Sequence, residues 1–262
     1  MNGGAIEDYA PSFRLDDRVA LVTGAGQGLG RAIALALAGS GARTVAVGRR
    51  EEPLWALADH AARHALDVSY AVADVTDLDS LAGLVDRVEA AVGEVDVLVN
   101  NAGTNVQQSA VDVDAATWDS IMDLNLRAPF FLSQELGRRW IADGRSGRII
   151  NIASQMAEVG FHFRSAYAAS KAGLVAMSRV LAIEWARHGI RVNCVGPTFT
   201  DSPLAQHVLA DPAFRTEVLS RIPIGRLGTP EEVAAAVVYL ASDPADLVTG
   251  HHLLTDGGWT AM

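Results

Sequence analysis

The sequence predicts an α/β fold in one domain: a doubly wound, mostly parallel sheet of seven strands with helices on both faces. Three observations carry this. Short β-branched runs alternate with longer amphipathic stretches, as strand–helix–strand units do. The runs are nearly continuously apolar, which suits strands covered on both faces. No Ser/Gly/Pro linker, repeat or low-complexity block divides the 262 residues, a length that one α/β domain fills.

The elements follow in order. Strand one, 19–23, runs straight into a glycine-rich turn, and a helix over 28–40 begins at once. Strand two, 44–47, ends in Gly48-Arg49-Arg50 before a helix over 51–65. Strand three, 68–73, is closed by Asp74-Val75, with a helix over 78–92. Strand four, 95–100, ends in Asn100-Asn101-Ala102-Gly103, and one long helix is expected over 115–142. Strand five, 148–152, leads to Ser154, and the helix over 165–188 carries Tyr167 and Lys171. Strand six, 191–195, opens an irregular stretch over 196–226 with four prolines, of the kind that forms lids or binding loops. A helix over 230–242 and strand seven, 252–254, complete the domain, 15–262, after a loosely held arm over 1–14.

Composition narrows the function. The chain carries 21 basic and 31 acidic side chains, a net charge of −10, with 50% hydrophobic and 20% charged residues. That mixture is too apolar for a disordered chain, and the acidity argues against a nucleic-acid binder. No apolar stretch approaches the roughly 20 residues of a membrane span, and the N-terminus shows no apolar signal core. Cys194 is alone, so no internal disulfide or cysteine-based zinc site is expected, and no metal is assigned. These features suit a cytoplasmic protein. Lys171 is the only lysine among the 21 basic residues.

Two motifs carry chemistry. Gly24, Gly28 and Gly30 give a GxxxGxG turn between strand one and helix one; Leu29 takes the third glycine position of the GxGxxG dinucleotide fingerprint. Glycines permit close backbone approach, and the helix N-terminus offers free N–H groups to a pyrophosphate. Tyr167 and Lys171, four apart on a helix, share one face. A phenol of pKa near 10 is a poor base at neutral pH until a nearby cation stabilises its phenolate.

Together, in this order, the glycine turn, Asn100-Asn101-Ala102-Gly103, Ser154, Tyr167-x-x-x-Lys171 and the closing Asp256-Gly257-Gly258 resemble the classical short-chain dehydrogenase/reductase family, from about residue 15 to 259. The resemblance implies a Rossmann fold and an oxidoreductase that interconverts a secondary alcohol and a ketone by hydride transfer. It implies a catalytic set of Asn125, Ser154, Tyr167 and Lys171. Tyr167 exchanges a proton with the substrate oxygen, Ser154 hydrogen-bonds that oxygen, Lys171 lowers the tyrosine pKa and binds the cofactor ribose, and Asn125 holds a relay water.

The cofactor site implied by the resemblance comprises Gly24, Gln27, Gly28, Leu29, Gly30, Arg49, Asp74, Val75, Asn101, Ala102, Gly103, Tyr167, Lys171, Pro197, Thr198, Thr200 and Ser202. NADP is favoured, with NAD as the alternative. Strand two ends in arginines rather than a carboxylate, and Arg49 suits a 2′-phosphate, or else stacks on adenine. Gln27 departs from the basic residue common in NADP-dependent relatives.

The segment from Ser154 to Arg164 looks similar to the branch containing gluconate 5-dehydrogenases and deoxygluconate dehydrogenases, implying a sugar acid or related polyol. Substrate contacts are expected from Ser154, Glu158, Arg164 and Tyr167, with Arg164 meeting a carboxylate. Surface pairing or a subunit contact is the other reading of Glu158, His162 and Arg164. A 3-oxoacyl-thioester reductase is the rival within the family, and a non-catalytic nucleotide sensor the rival outside it. The resemblance further implies a homotetramer.

Overall fold

The computed structural model describes residues 11–201 and 209–262. Seven parallel strands lie in the order β3-β2-β1-β4-β5-β6-β7: β1 (Val19–Thr23), β2 (Arg43–Gly48), β3 (Val68–Val72), β4 (Val97–Asn100), β5 (Gly147–Ile152), β6 (Ile190–Pro197) and β7 (His252–Thr255). The predicted fold class is the one observed, and each predicted strand is present.

Side-chain alternation along the strands feeds two cores. Ala20, Val22, Val97, Val99, Ile150 and Ile152 face one layer, against α1 (Gly28–Gly39), α2 (Glu51–Ala62) and α8 (Pro230–Ala241). Val19, Leu21, Leu98 and Ile149 face the other, against α3 (Leu81–Val92), α5 (Ala128–Asp143) and α6 (Ser165–Trp185). Trp140, fully buried in the second layer, keeps its indole N–H satisfied on the Val95 carbonyl at 2.8 Å.

Two expectations change. The single helix over 115–142 is interrupted: α4 (Ala115–Met122) passes through a π-helical turn, Asp123–Arg127, into α5. Pro129 has no N–H to give the Asn125 carbonyl, its partner in a regular helix, which explains the break there. The stretch over 196–226 is not wholly irregular, because it contains α7 (Pro212–Ser220). Asp211 caps α7 by accepting the Ala213 N–H at 2.9 Å, with Pro212 in the first turn, a start signal obscured by the mixed polarity around it. Among the described residues no helix is long and apolar enough to cross a membrane.

Candidate active site

The strand order reverses between β1 and β4, and a crevice opens at their carboxyl ends, as expected for doubly wound sheets. It forms a cleft of about 700 Å3. Gly24, Gln27, Gly28, Leu29, Gly30, Arg49, Asp74, Val75, Asn101, Ala102 and Gly103 all line it, joined by Arg50, Pro53, Leu54 and Leu124. The turn is held from β4. Asn101 donates through Nδ2 to the Thr23 and Gly24 carbonyls at 2.9 and 3.2 Å, and Thr23 Oγ1 accepts the Asn101 and Ala102 N–H groups. Thr23 escaped the sequence reading because it looks like an ordinary strand residue. Gly30 makes this closeness possible: a Cβ there would lie 2.3 Å from the Gly24 oxygen and 2.4 Å from Asn101 Nδ2.

At the mouth, Arg50 donates to Gln27 Oε1 at 2.7 Å, and Arg49 lies 3.8 Å from Asp74. Burial pushes the Asp74 carboxyl up, but hydrogen bonds from Thr76 and the charge of Arg49 outweigh it, and its pKa falls below the usual value. Gln27, in the place of the missing basic residue, thus holds an arginine.

Ser154, Tyr167, Lys171 and Asn125 converge at the ends of β5 and α6. Ser154, in extended backbone after β5, donates from Oγ to Gln155 Oε1 at 3.0 Å and accepts the Met156 N–H at 3.1 Å. Tyr167 is buried beside Ser154 and Arg164; both favour the phenolate, but burial is the larger effect and the Tyr167 pKa is raised. Lys171, 4% exposed, donates to the Ile152 carbonyl at 2.7 Å, with Nζ 5.8 Å from the centre of the Tyr167 ring. Burial pulls its pKa down to about 8. The expected lowering of the tyrosine pKa by Lys171 is outweighed: desolvation dominates both groups.

Asn125 is fully buried in the π-helical turn. Its Nδ2 donates to the Thr104 carbonyl and Ser170 Oγ, and its Oδ1 accepts the Thr104 N–H at 2.8 Å. Both amide hydrogens are spent on the protein, so any water contact from this side chain uses the remaining Oδ1 lone pair. A Cβ placed on Gly103 would meet Asn125 Oδ1 at 3.2 Å and Lys171 Nζ at 3.5 Å, so only a glycine backbone passes freely between them.

Beyond β6, Thr200 Oγ1 donates to the Thr198 carbonyl at 3.1 Å, and the buried Thr198 Oγ1 has no partner. Pro197 closes β6; Ser202 lies outside the described residues. Of the expected substrate contacts, Arg164 is 3% exposed and its charge acts on Tyr167. Among the described residues no carboxylate lies within 4.0 Å of it, and its Nε is buried without a partner. Glu158 is placed differently from expectation. Its carboxylate meets the buried His252 of β7 at 2.8 Å and Arg179 at 4.0 Å, because the turn after Ser154 carries it toward the sheet edge. Gln155, 1% exposed and bonded to Ser154, was not singled out by sequence reasoning.

A doubly wound sheet with a glycine-lined cleft, and a Ser–Tyr–Lys group adjoining it at Gly103, defines a dinucleotide-dependent oxidoreductase. A family model described as enoyl-(acyl carrier protein) reductase matches residues 24–260, and the chain belongs to the short-chain dehydrogenase/reductase family, acting on CH–OH groups. It is 38% identical to the 2-dehydro-3-deoxy-D-gluconate 5-dehydrogenase of Escherichia coli (strain K12), over 95% of this chain and 98% of that one. It is 42% identical to the D-threitol dehydrogenase of Mycolicibacterium smegmatis, over 95% of each. A crystal structure of a gluconate 5-dehydrogenase from Burkholderia cenocepacia J2315, in complex with NADP and tartrate, superimposes with a TM-score of 0.91. That protein is 35% identical over 96% of this chain and 98% of its own.

Proposed function

We propose that this enzyme interconverts a secondary alcohol and a ketone on a sugar acid or related polyol, with NADP the favoured cofactor and NAD the alternative. The observation that carries the substrate side is Arg164, a buried guanidinium beside Tyr167 with no carboxylate within ion-pair distance among the described residues. A buried cation is ordinarily paired, and a substrate carboxylate supplies the partner. The relatives agree in kind, since two are named for a sugar acid and a tetritol, and a third was solved in complex with NADP and tartrate.

The cleft fits a dinucleotide. The Gly24–Gly30 turn and the start of α1 suit the pyrophosphate, Asp74 and Val75 the adenine, and Arg49 with Arg50 a 2′-phosphate. Lys171 has two donors left for ribose hydroxyls, and Pro197, Thr198 and Thr200 border the nicotinamide end. When bound, the nicotinamide ring takes or gives the hydride at the reacting carbon. Tyr167 moves the proton at the substrate oxygen and Ser154 holds that oxygen, while Asn125 supports the water that reaches Lys171. The working assembly is a cytoplasmic homotetramer; the exposed Trp118, Phe131, Val180 and Ile183 on α4, α5 and α6 supply apolar surface for contacts between copies.

The test is a spectrophotometric screen of sugar acids, neutral polyols and 3-oxoacyl thioesters with both cofactors, on wild type and Arg164→Leu. The expected result is turnover of sugar acids with NADP preferred, and a rise in KM of tenfold or more for acids but not neutral polyols in the variant. Activity confined to thioesters, or equal losses on acids and polyols, refutes the reading.

A further inference from the structure

A second cavity, of about 300 Å3, lies at the other end of the sheet from the catalytic cleft. Arg18 stands just before β1, Arg148 is second in β5 and Arg191 second in β6, so all three enter it from the amino ends of parallel strands. Ser146, with Asp243 and Asp246 from the segment after α8, completes its polar lining. Three guanidinium groups therefore face two carboxylates. That is an excess of one positive charge, in a chain whose net charge is −10.

Each carboxylate already has two arginines. Arg148 Nη2 donates to Asp243 at 2.7 Å and to Asp246 at 2.8 Å. Arg18 adds a bond to Asp243 at 3.3 Å, and Arg191 Nε lies 3.6 Å from Asp246. Donors remain after these pairings. Arg148 is 7% exposed, and its Nε is buried without a partner. Arg191 spends Nε and Nη1 on the Asp246 and Gly189 carbonyls. Among the described residues, Arg148 Nη1, Arg191 Nη2 and Ser146 Oγ make no hydrogen bond. A guanidinium cannot shed its charge on burial, and a buried charge is ordinarily paired.

We propose that this cavity binds a phosphate-class oxyanion, either inorganic phosphate or the phosphate of a small monoester, apart from the catalytic cleft. Unspent N–H groups from separate arginines suit a tetrahedral anion with several oxygens, where a carboxylate offers only two. The side chains of Asp243 and Asp246 are 71% and 52% exposed and stand at the rim, whereas that of Arg148 is 9% exposed. The buried end of the cavity is thus the positive one, which disfavours a cation there. An ion-pair network serving the fold alone would need neither the spare charge nor the open volume. The volume exceeds what a bare ion fills, so an ester fits as well.

The experiment is calorimetric titration of the protein with inorganic phosphate, glycerol 3-phosphate and chloride, at constant ionic strength. Saturating NADP is present throughout, so that the phosphate-binding parts of the catalytic cleft are filled. Wild type, Arg18→Gln, Arg191→Gln and Arg164→Leu are compared. Wild type is expected to bind both phosphates saturably and chloride not at all, and the tighter of the two tells whether the free ion or the ester is the occupant. Arg18→Gln and Arg191→Gln should each raise Kd by about tenfold or more, the worth of one charge-assisted bond. Their NADP affinity should stay at the wild-type value, which shows that both fold. Arg164→Leu should leave the phosphate Kd unchanged. The proposal is overturned if no saturable phosphate binding appears, or if chloride reproduces it, the mark of screening alone. It is overturned too if Arg18→Gln and Arg191→Gln bind phosphate as wild type does. Loss of binding in Arg164→Leu alone also overturns it, because the anion then sits in the substrate site.

Discussion

Lys171→Met offers a measurement in which the cost of the buried ammonium can be read directly. Burial lowers the Lys171 pKa from the ordinary 10.5 to about 8. At about 1.36 kcal/mol per pH unit, that difference makes the charged form about 3 kcal/mol less favourable in the folded chain than in the unfolded one. Between pH 8 and 10.5 the unfolded chain holds a proton that the folded chain has released, so wild-type stability rises with pH over that window. Methionine removes this dependence. It also leaves the Ile152 carbonyl without its 2.7 Å donor, an offset of about 1–3 kcal/mol that does not vary with pH. At pH 7 the variant should therefore match or slightly exceed wild type in stability while losing turnover. Its relative stability should then fall by about 3 kcal/mol as the pH is raised from 8 to 10.5. Tyr167 and Cys194, both pushed up by burial, titrate in both proteins and largely cancel in the difference. The assay is urea unfolding of the cofactor-free proteins at fixed protein concentration, at half-unit pH steps. A stability difference that stays flat across the window, or grows in favour of methionine, refutes the desolvation argument.

Further outcomes follow from neighbouring parts of the molecule. Gly30→Ala should abolish tight dinucleotide binding in calorimetric titration and cost about 1–3 kcal/mol of stability, because its Cβ would press on Gly24 and Asn101. Arg49→Glu should lower the ratio of NADPH to NADH kcat/KM by about ten- to a hundredfold, the worth of one charge-assisted bond to phosphate; an unchanged ratio would assign Arg49 to adenine or solvent instead. Glu232, held at about 2 by Arg226 and the Thr229 N–H in the α8 capping box, has a depressed folded pKa. Its contribution is complete above about 4.5 and lost as the pH falls toward 2. The stability gap between wild type and Glu232→Gln should accordingly narrow on acid unfolding across that range.

Lys171→Arg retains the net charge of −10 and still should cripple turnover, because a planar guanidinium cannot reproduce the bond from Nζ to Ile152 within that buried space. Stopped activity with intact dinucleotide binding is the expected pattern; full activity would detach the lysine from the chemistry.

The architecture and most of the cleft were legible in the chain because they depend on local pattern. Strand periodicity separates two cores at Ala20/Val22 and Val19/Leu21, and the glycine turn must follow β1 for a phosphate to reach α1. Those features repeat at fixed spacing and need no knowledge of distant partners. What escaped depends on distant partners or on chemistry hidden within an element. The helix over 115–142 reads as continuous by periodicity, and only the backbone shows how Pro129 and the Asn125 contacts to Thr104 and Ser170 open a π turn there. Glu158 sits in a motif-like position four residues after Ser154, yet its partner is His252, 94 residues away.

By itself the sequence determined the order of the elements, the glycine turn, and the presence of Ser154, Tyr167 and Lys171 at workable spacings. Only the tertiary structure decided the electrical state of that group. Whether Lys171 lowers the Tyr167 pKa or burial raises it is a contest between a cation nearby and water withdrawn. The sequence shows that the cation exists; the packing of β5 and α6 decides how much water remains, and desolvation prevails. The same packing leaves Arg164 and Gln155 buried with unspent donors, which no spacing in the chain could have revealed.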